Sequence, residues 1–113
     1  WDVAIALDSG AADLDEAVRF PLCEPEPMVQ LFQEAGLDQI ETRSIEVPTV
    51  FADFEDYWRP FLLAQGPAPS YVASLGPGDR DLLRDTLCGA LSVADDGRIH
   101  LNARAWAISG TAP

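Results

Sequence analysis

Residues 51–75, FADFEDYWRPFLLAQGPAPSYVASL, stand between two stretches in which polar and apolar residues alternate as in strands, residues 40–47 (IETRSIEV) and 99–108 (IHLNARAWAI). A hairpin needs only a few residues between its strands, whereas this chain spends about fifty. The excursion is rich in aromatic rings (Phe51, Phe54, Tyr57, Trp58, Phe61 and Tyr71) and punctuated by Pro60, Pro67 and Pro69. An aromatic, proline-stiffened insertion at a sheet edge is expected to close over something apolar, so a function is sought here first.

Around this block, the sequence predicts short elements. Residues 1–20 read as two helical pieces broken near Asp8-Ser9-Gly10, the second over residues 11–18, with Asp13, Asp15 and Glu16 on its wet side. Residues 20–27, FPLCEPEP, read as an extended connector whose prolines delay the next helix until Pro27. In that helix Met28, Leu31, Phe32 and Ala35 fall at i, i+3, i+4 and i+7, and Gly36 supplies the left-handed cap. The strand at 40–47 is mixed enough to be exposed on one side, and Pro48 ends it or marks an edge. Asp53 is a fitting N-cap for a helix bearing Phe54, Tyr57, Trp58, Phe61 and Leu62, with Pro60 either kinking it or lying near a first turn. Residues 65–70, QGPAPS, read as a stiff loop. A further helix over 77–91 puts Leu82, Leu83, Thr86, Leu87, Ala90 and Leu91 on one face. After an Asp95-Asp96-Gly97 turn, the last strand directs Ile99, Leu101, Ala103, Ala105 and Ala107 inward and His100, Asn102, Arg104 and Trp106 outward. The fold class expected for the chain is α+β, about four helices with an antiparallel strand pair.

Length and charge limit the function. At 113 residues the chain forms one domain or a piece of one, and it buries roughly two-thirds of its unfolded surface. Nineteen acids against seven bases, all Arg, give a formal net charge of −12. That surface lacks the clustered cations that phosphates require, which argues against nucleic acid and against anionic membranes. No apolar run approaches the ~20 residues of a membrane-spanning helix. With no basic-then-apolar leader in view, the expectation is a cytoplasmic protein in which Cys23 and Cys88 stay reduced and buried. The chain opens at Trp1 and runs directly into the apolar WDVAIAL, so it reads as the tail of something longer, with Trp1, Val3, Ile5 and Leu7 seeking partners.

Three segments together, PLCEPEPMVQLFQEAGL, IEVPTVFADFEDYWRPFLLAQGPAPSYVASL and GRIHLNARAWAISG, resemble the carboxyl-terminal part of a bacterial class I S-adenosylmethionine-dependent methyltransferase. The resemblance covers nearly the whole chain. It implies a piece of a Rossmann-like α/β fold in which residues 40–47 match the sixth strand and 99–108 the last, antiparallel one, with residues 48–97 as a cap inserted between them. It further implies S-adenosylmethionine as the cofactor of the parent enzyme and a small-molecule substrate beneath the cap. None of the eight glycines lies in a strand, glycine-rich loop, helix sequence, so this chain alone is not expected to bind the cofactor.

In an open α/β sheet, ligands bind outside the carboxyl ends of the parallel strands, so a cap leaving from Pro48 would roof the substrate. Phe54, Tyr57, Trp58 and Tyr71 are the expected apolar wall, with Arg59 and Gln65 as polar anchors. No catalytic acid, base or metal ligand is assigned: a cap serves by alignment and by excluding water. His100 is the only histidine and no nucleophile is tied to it. Against this stands the reading of the same aromatics as simply the core of a small helical subdomain, which is what stripes at helical spacing usually form. Two other functions fit the residues, a small module binding a hydrophobic ligand and a dimerising piece whose partner is a second copy of the chain rather than a missing N-terminal half.

Overall fold

A computed structural model describes residues 1–113. The element order is α1 (Asp2–Leu7), a 3-10 helix (Ser9–Leu14), α2 (Glu16–Arg19), a 3-10 turn (Pro21–Cys23), α3 (Pro25–Glu34), β1 (Asp38–Phe51), α4 (Phe54–Trp58), a 3-10 helix (Arg59–Leu63), α5 (Pro67–Ser74), α6 (Pro77–Ala90) and β2 (Ile99–Thr111). β1 and β2 pair antiparallel as a two-stranded sheet, so the chain is α+β, with more and shorter helices than the four expected. It divides into two compact units, Trp1–Asp15 with Thr49–Leu101 and Glu16–Pro48 with Asn102–Pro113.

The largest departures from the sequence expectation concern proline. α3 begins at Pro25, not Pro27, and α5 begins at Pro67 inside the stretch expected to be loop. In both, a Pro-x-Pro sequence fills the first turn, whose N–H groups have no intrahelical acceptor, so the missing donors cost nothing there. The first helical bonds come immediately afterwards, from Met28 N to Glu24 O at 3.4 Å and from Ser70 N to Gly66 O at 3.0 Å. Only Gln65 and Gly66 remain of the expected loop, with Gly66 at φ 95° supplying a turn that other residues resist. β1 likewise runs through Pro48 to Phe51. Each strand of a two-stranded sheet has an outer edge, where a residue without an N–H is tolerated.

In the unit of Trp1–Asp15 and Thr49–Leu101, a core of Ala4, Ala11, Trp58, Val72 and Leu83 is packed by half-buried Trp1, Val3, Ile5, Phe54, Phe61, Tyr71, Leu75 and Leu87. α5 and α6 are joined through Arg80, which donates to the carbonyls of Val72 (3.1 Å), Ala73 (3.3 Å) and Leu75 (3.2 Å). A cation on the unsatisfied carbonyls of a helix end also suits the helix dipole. Residues 93–99 close a small turn into β2: Ala94 N donates to Arg98 O, Val93 bridges Ile99, and Gly97 takes φ 82°. Ile99 is fully buried.

In the unit of Glu16–Pro48 and Asn102–Pro113, α3 ends in a Schellman turn. Gly36, at φ 76°, donates to Gln33 O at 2.9 Å, and Leu37 donates to Phe32 O at 3.1 Å. That turn brings Phe32 and Leu37 together over Gly110 of β2, where an added Cβ would lie 3.3 Å from Phe32 Cδ1 and 3.2 Å from Leu37 Cβ. The α3 stripe is thus narrower than expected: Met28 and Phe32 are half-buried, while Leu31 and Ala35 are exposed. The expected inward face of β2 also fails along its middle. Ala103 and Ala105 are exposed and Trp106, read as outward, is half-buried. β1 is exposed on both faces from Glu41 to Pro48, including Ile45 and Val47. Cys23 and Cys88 are free and exposed, not buried.

Candidate functional site

The aromatic block becomes a site because two local devices place its rings. Asp53 caps α4, its carboxylate accepting from Asp56 N at 2.8 Å, while Asp56 reaches back to Ala52 N at 3.1 Å. Such a reciprocal arrangement satisfies two donors at once and fixes where the helix starts. Phe54, Tyr57, Trp58 and Phe61 then fall at i, i+3, i+4 and i+7. Pro60 cannot prolong an α-helix, and the chain tightens at Arg59 into the 3-10 helix that carries Phe61 and ends at Ala64, φ 51°.

The rings form a continuous chain of contacts. Phe51 meets Tyr57 edge-on at 5.3 Å between centroids, Tyr57 meets Phe61 at 5.4 Å, and Phe61 meets Trp58 at 5.7 Å. Phe54 stacks on Trp58 at 6.3 Å and carries the Arg84 guanidinium 5.2 Å above its ring. Arg84 is also paired with Glu55, whose hydrogen bond raises the guanidinium pKa further. Offset and edge-on ring pairs each contribute roughly 0.5–1.5 kcal/mol beyond area burial, which makes this a rigid wall.

A half-open cavity of about 90 Å³ lies against that wall. α4 brings Tyr57 and Trp58 to it, α5 brings Ala68, Tyr71 and Val72, α6 brings Leu83 and Leu87, and α1 closes one side with Trp1, Val3 and Ala4. Trp1 and Tyr71 face each other at 5.5 Å. Of the residues the sequence pointed to, Tyr57, Trp58 and Tyr71 are brought together here. Phe54 packs on Trp58 without lining the cavity, and Arg59 and Gln65 are exposed and lie outside it. The contribution of α1 was missed, although the unexplained apolar start at Trp1 and Val3 was its signal. Nothing in the spacing of residues 1–4 says that they meet α5.

Burial holds the Tyr57 hydroxyl above its usual pKa of 10.0. Tyr71 is raised as well, first by burial and then by the charges of Asp8 and Asp79. Those two carboxylates, with Leu7, Leu75, Leu82 and Leu83, line an adjoining cleft of about 320 Å³ that shares Tyr71 with the cavity. The cavity presents neutral phenols and apolar carbon and no nucleophile, so its chemistry is to hold, orient and dehydrate. An apolar guest would remove these apolar walls from water, which favours its binding.

No group of three or more His, Cys, Asp or Glu is placed to hold a metal ion. The residues also do not fit S-adenosylmethionine. Gly76-Pro77-Gly78 opens α6, but the helix α5 precedes it, where the glycine-rich loop that holds such a cofactor follows a strand. No helix is long and apolar enough to cross a membrane. Comparison with protein-family models, curated proteins and solved structures finds no match to the chain.

Proposed function

We propose that this chain is the substrate-capping part of an S-adenosylmethionine-dependent methyltransferase, with the cofactor held by polypeptide outside these 113 residues. One observation supports the reading above the rest: between two paired strands the chain builds a helical excursion that, together with residues 1–4, lines a half-open aromatic cavity and brings no catalytic group to it. A part with that construction serves a transfer reaction by fixing the acceptor and excluding water, leaving the chemistry to groups elsewhere. Residues 48–97 form the cap, closed on one side by residues 1–4, and Tyr57, Trp58 and Tyr71 are its substrate wall.

Calorimetric titration of S-adenosylmethionine tests this. The 113-residue chain should show no heat of binding, and the product of the complete reading frame should bind. A reading frame without a strand and glycine-rich loop upstream of Trp1, or a product that fails to bind, would end the proposal. A second reading, a hydrophobic-ligand module without catalysis, is favoured by one fact: every residue lining the cavity belongs to one compact unit, so the cavity needs no other polypeptide to form.

A further inference from the structure

We infer that the outer edge of β1 is a self-association site, at which two copies of the chain pair residues 40–44 antiparallel about a twofold axis through Thr42. The product is a four-stranded sheet. This is independent of the capping role, because the aromatic cavity belongs to the other compact unit.

The backbone carries the first half. The sheet has two strands, so one side of β1 has no ladder, and every residue from Glu41 to Pro48 is exposed. A long exposed edge is a template for another strand unless lysine, proline or a bulge blocks it. β1 has 14 residues and no lysine, and its irregular points stand toward its ends, at Gln39 with φ 49° and at Pro48. A proline within a strand sits with its nitrogen toward the open side. Alternation then turns the N–H groups of Ile40, Thr42, Ser44 and Glu46 to that same side.

Charge fixes the register and names the occupant as a second copy. Glu41 and Arg43 flank Thr42, and neither makes an ion pair within the chain. An axis through Thr42 sets Thr42 against itself, Ile40 against Ser44, and Glu41 of each copy against Arg43 of the other. The two charge pairs fall at non-hydrogen-bonded positions, where Cα atoms approach to about 4.5 Å, and both opposite charges and Thr–Thr pairs favour pairing. The one like-charged pair, Glu46 against Asp38 at each end, is relieved by Arg104, whose Nη2 lies 2.7 Å from Glu46 Oε1. Other axes do worse. Through Glu41, Arg43 or Glu46 they set a charge on itself, and through Ser44 or Ile45 they bring Pro48 into the ladder without a donor. Residues 39–45 also carry no net charge in a chain of −12, so two copies repel least along this strip.

Sedimentation equilibrium of the 113-residue chain and its variants tests this, with amide hydrogen exchange to map the contact. The chain should form a reversible dimer, and raising its concentration should slow exchange at Thr42 and Ser44. Arg43→Glu and Glu41→Arg should each weaken the dimer by about tenfold or more, since each turns two attractive pairs into two repulsive ones. The double variant, Glu41→Arg with Arg43→Glu, should return it to within about threefold of the unaltered chain. Thr42→Pro removes an outward donor and no bond to β2, so it should leave the chain folded and monomeric. Should that variant not fold, the charge-reversal series decides alone. A chain still monomeric at about 1 mM, a dimer indifferent to both single reversals, or a double variant as weak as the single ones would overturn the inference.

Discussion

All six buried side chains, Ala4, Ala11, Trp58, Val72, Leu83 and Ile99, belong to the unit of Trp1–Asp15 and Thr49–Leu101, and none belongs to the unit of Glu16–Pro48 and Asn102–Pro113. The first unit is held by side chains, the second by backbone geometry: a strand ladder, a Schellman turn and one close approach at Gly110. That difference explains why a cavity with a packed aromatic wall forms in the first unit, while the hollows of the second, such as the one beside Met28 and Trp106, have no buried side chain in their walls. A cavity keeps its shape only when close-packed neighbours fix the rotamers around it, and only the aromatic unit has such neighbours.

The contrast is broken most severely at Trp58. Replacing it by Ala removes a buried ring and should cost about 3–5 kcal/mol, a large share of the 5–15 kcal/mol that a domain possesses. Trp106→Ala, at a half-buried position in the other unit, should cost less than half as much. Urea unfolding of the two variants checks this, and equal losses would mean that both units depend on side-chain cores.

Gly110→Val tests the second unit on its own terms. Its Cβ would press on Phe32 and Leu37 at 3.3 and 3.2 Å, and overpacking of that kind costs about 1–3 kcal/mol. Restoring space with Leu37→Ala in the double variant should return part of the loss, and additivity of the two changes would disprove the contact. Gly36→Ala should cost about 1 kcal/mol, because a side chain there meets no neighbour but must adopt φ 76°. Smallest is Arg104→Ala. Arg104 Nη2 lies 2.7 Å from Glu46 Oε1, yet the two side chains are 58 % and 42 % exposed, and a pair so exposed is worth about 0.5 kcal/mol or less. A loss above 1 kcal/mol would show this pair to be buried in solution.

Much of the fold was legible wherever one residue settles a local question. Asp53 as N-cap, Gly36 as left-handed cap, and Asp95-Asp96-Gly97 as a turn all follow from local chemistry and all stand in the structure. Proline misled twice for one reason. Pro25-Glu26-Pro27 and Pro67-Ala68-Pro69 look extended because proline breaks helix interiors, but at N1 and N3 the rule is inverted. Period-two alternation correctly located both strands, yet it assumes that a covered face exists, so Ala103 and Ala105 were read as buried where nothing covers them. At the site, Tyr57, Trp58 and Tyr71 were legible as members of one aromatic block. Phe61 joins them from the same block, but the fifth ring at the wall, Trp1, is contributed from the far end of the chain, and no local pattern encodes a contact across seventy residues.

The most direct test of the central claim is a kinetic comparison in the complete reading-frame product, with and without Ala68→Leu. If these helices roof the acceptor, the substitution should raise the KM for the methyl acceptor by about tenfold while the affinity for S-adenosylmethionine stays unchanged. An unchanged acceptor KM, or a loss of cofactor affinity in its place, would contradict the account.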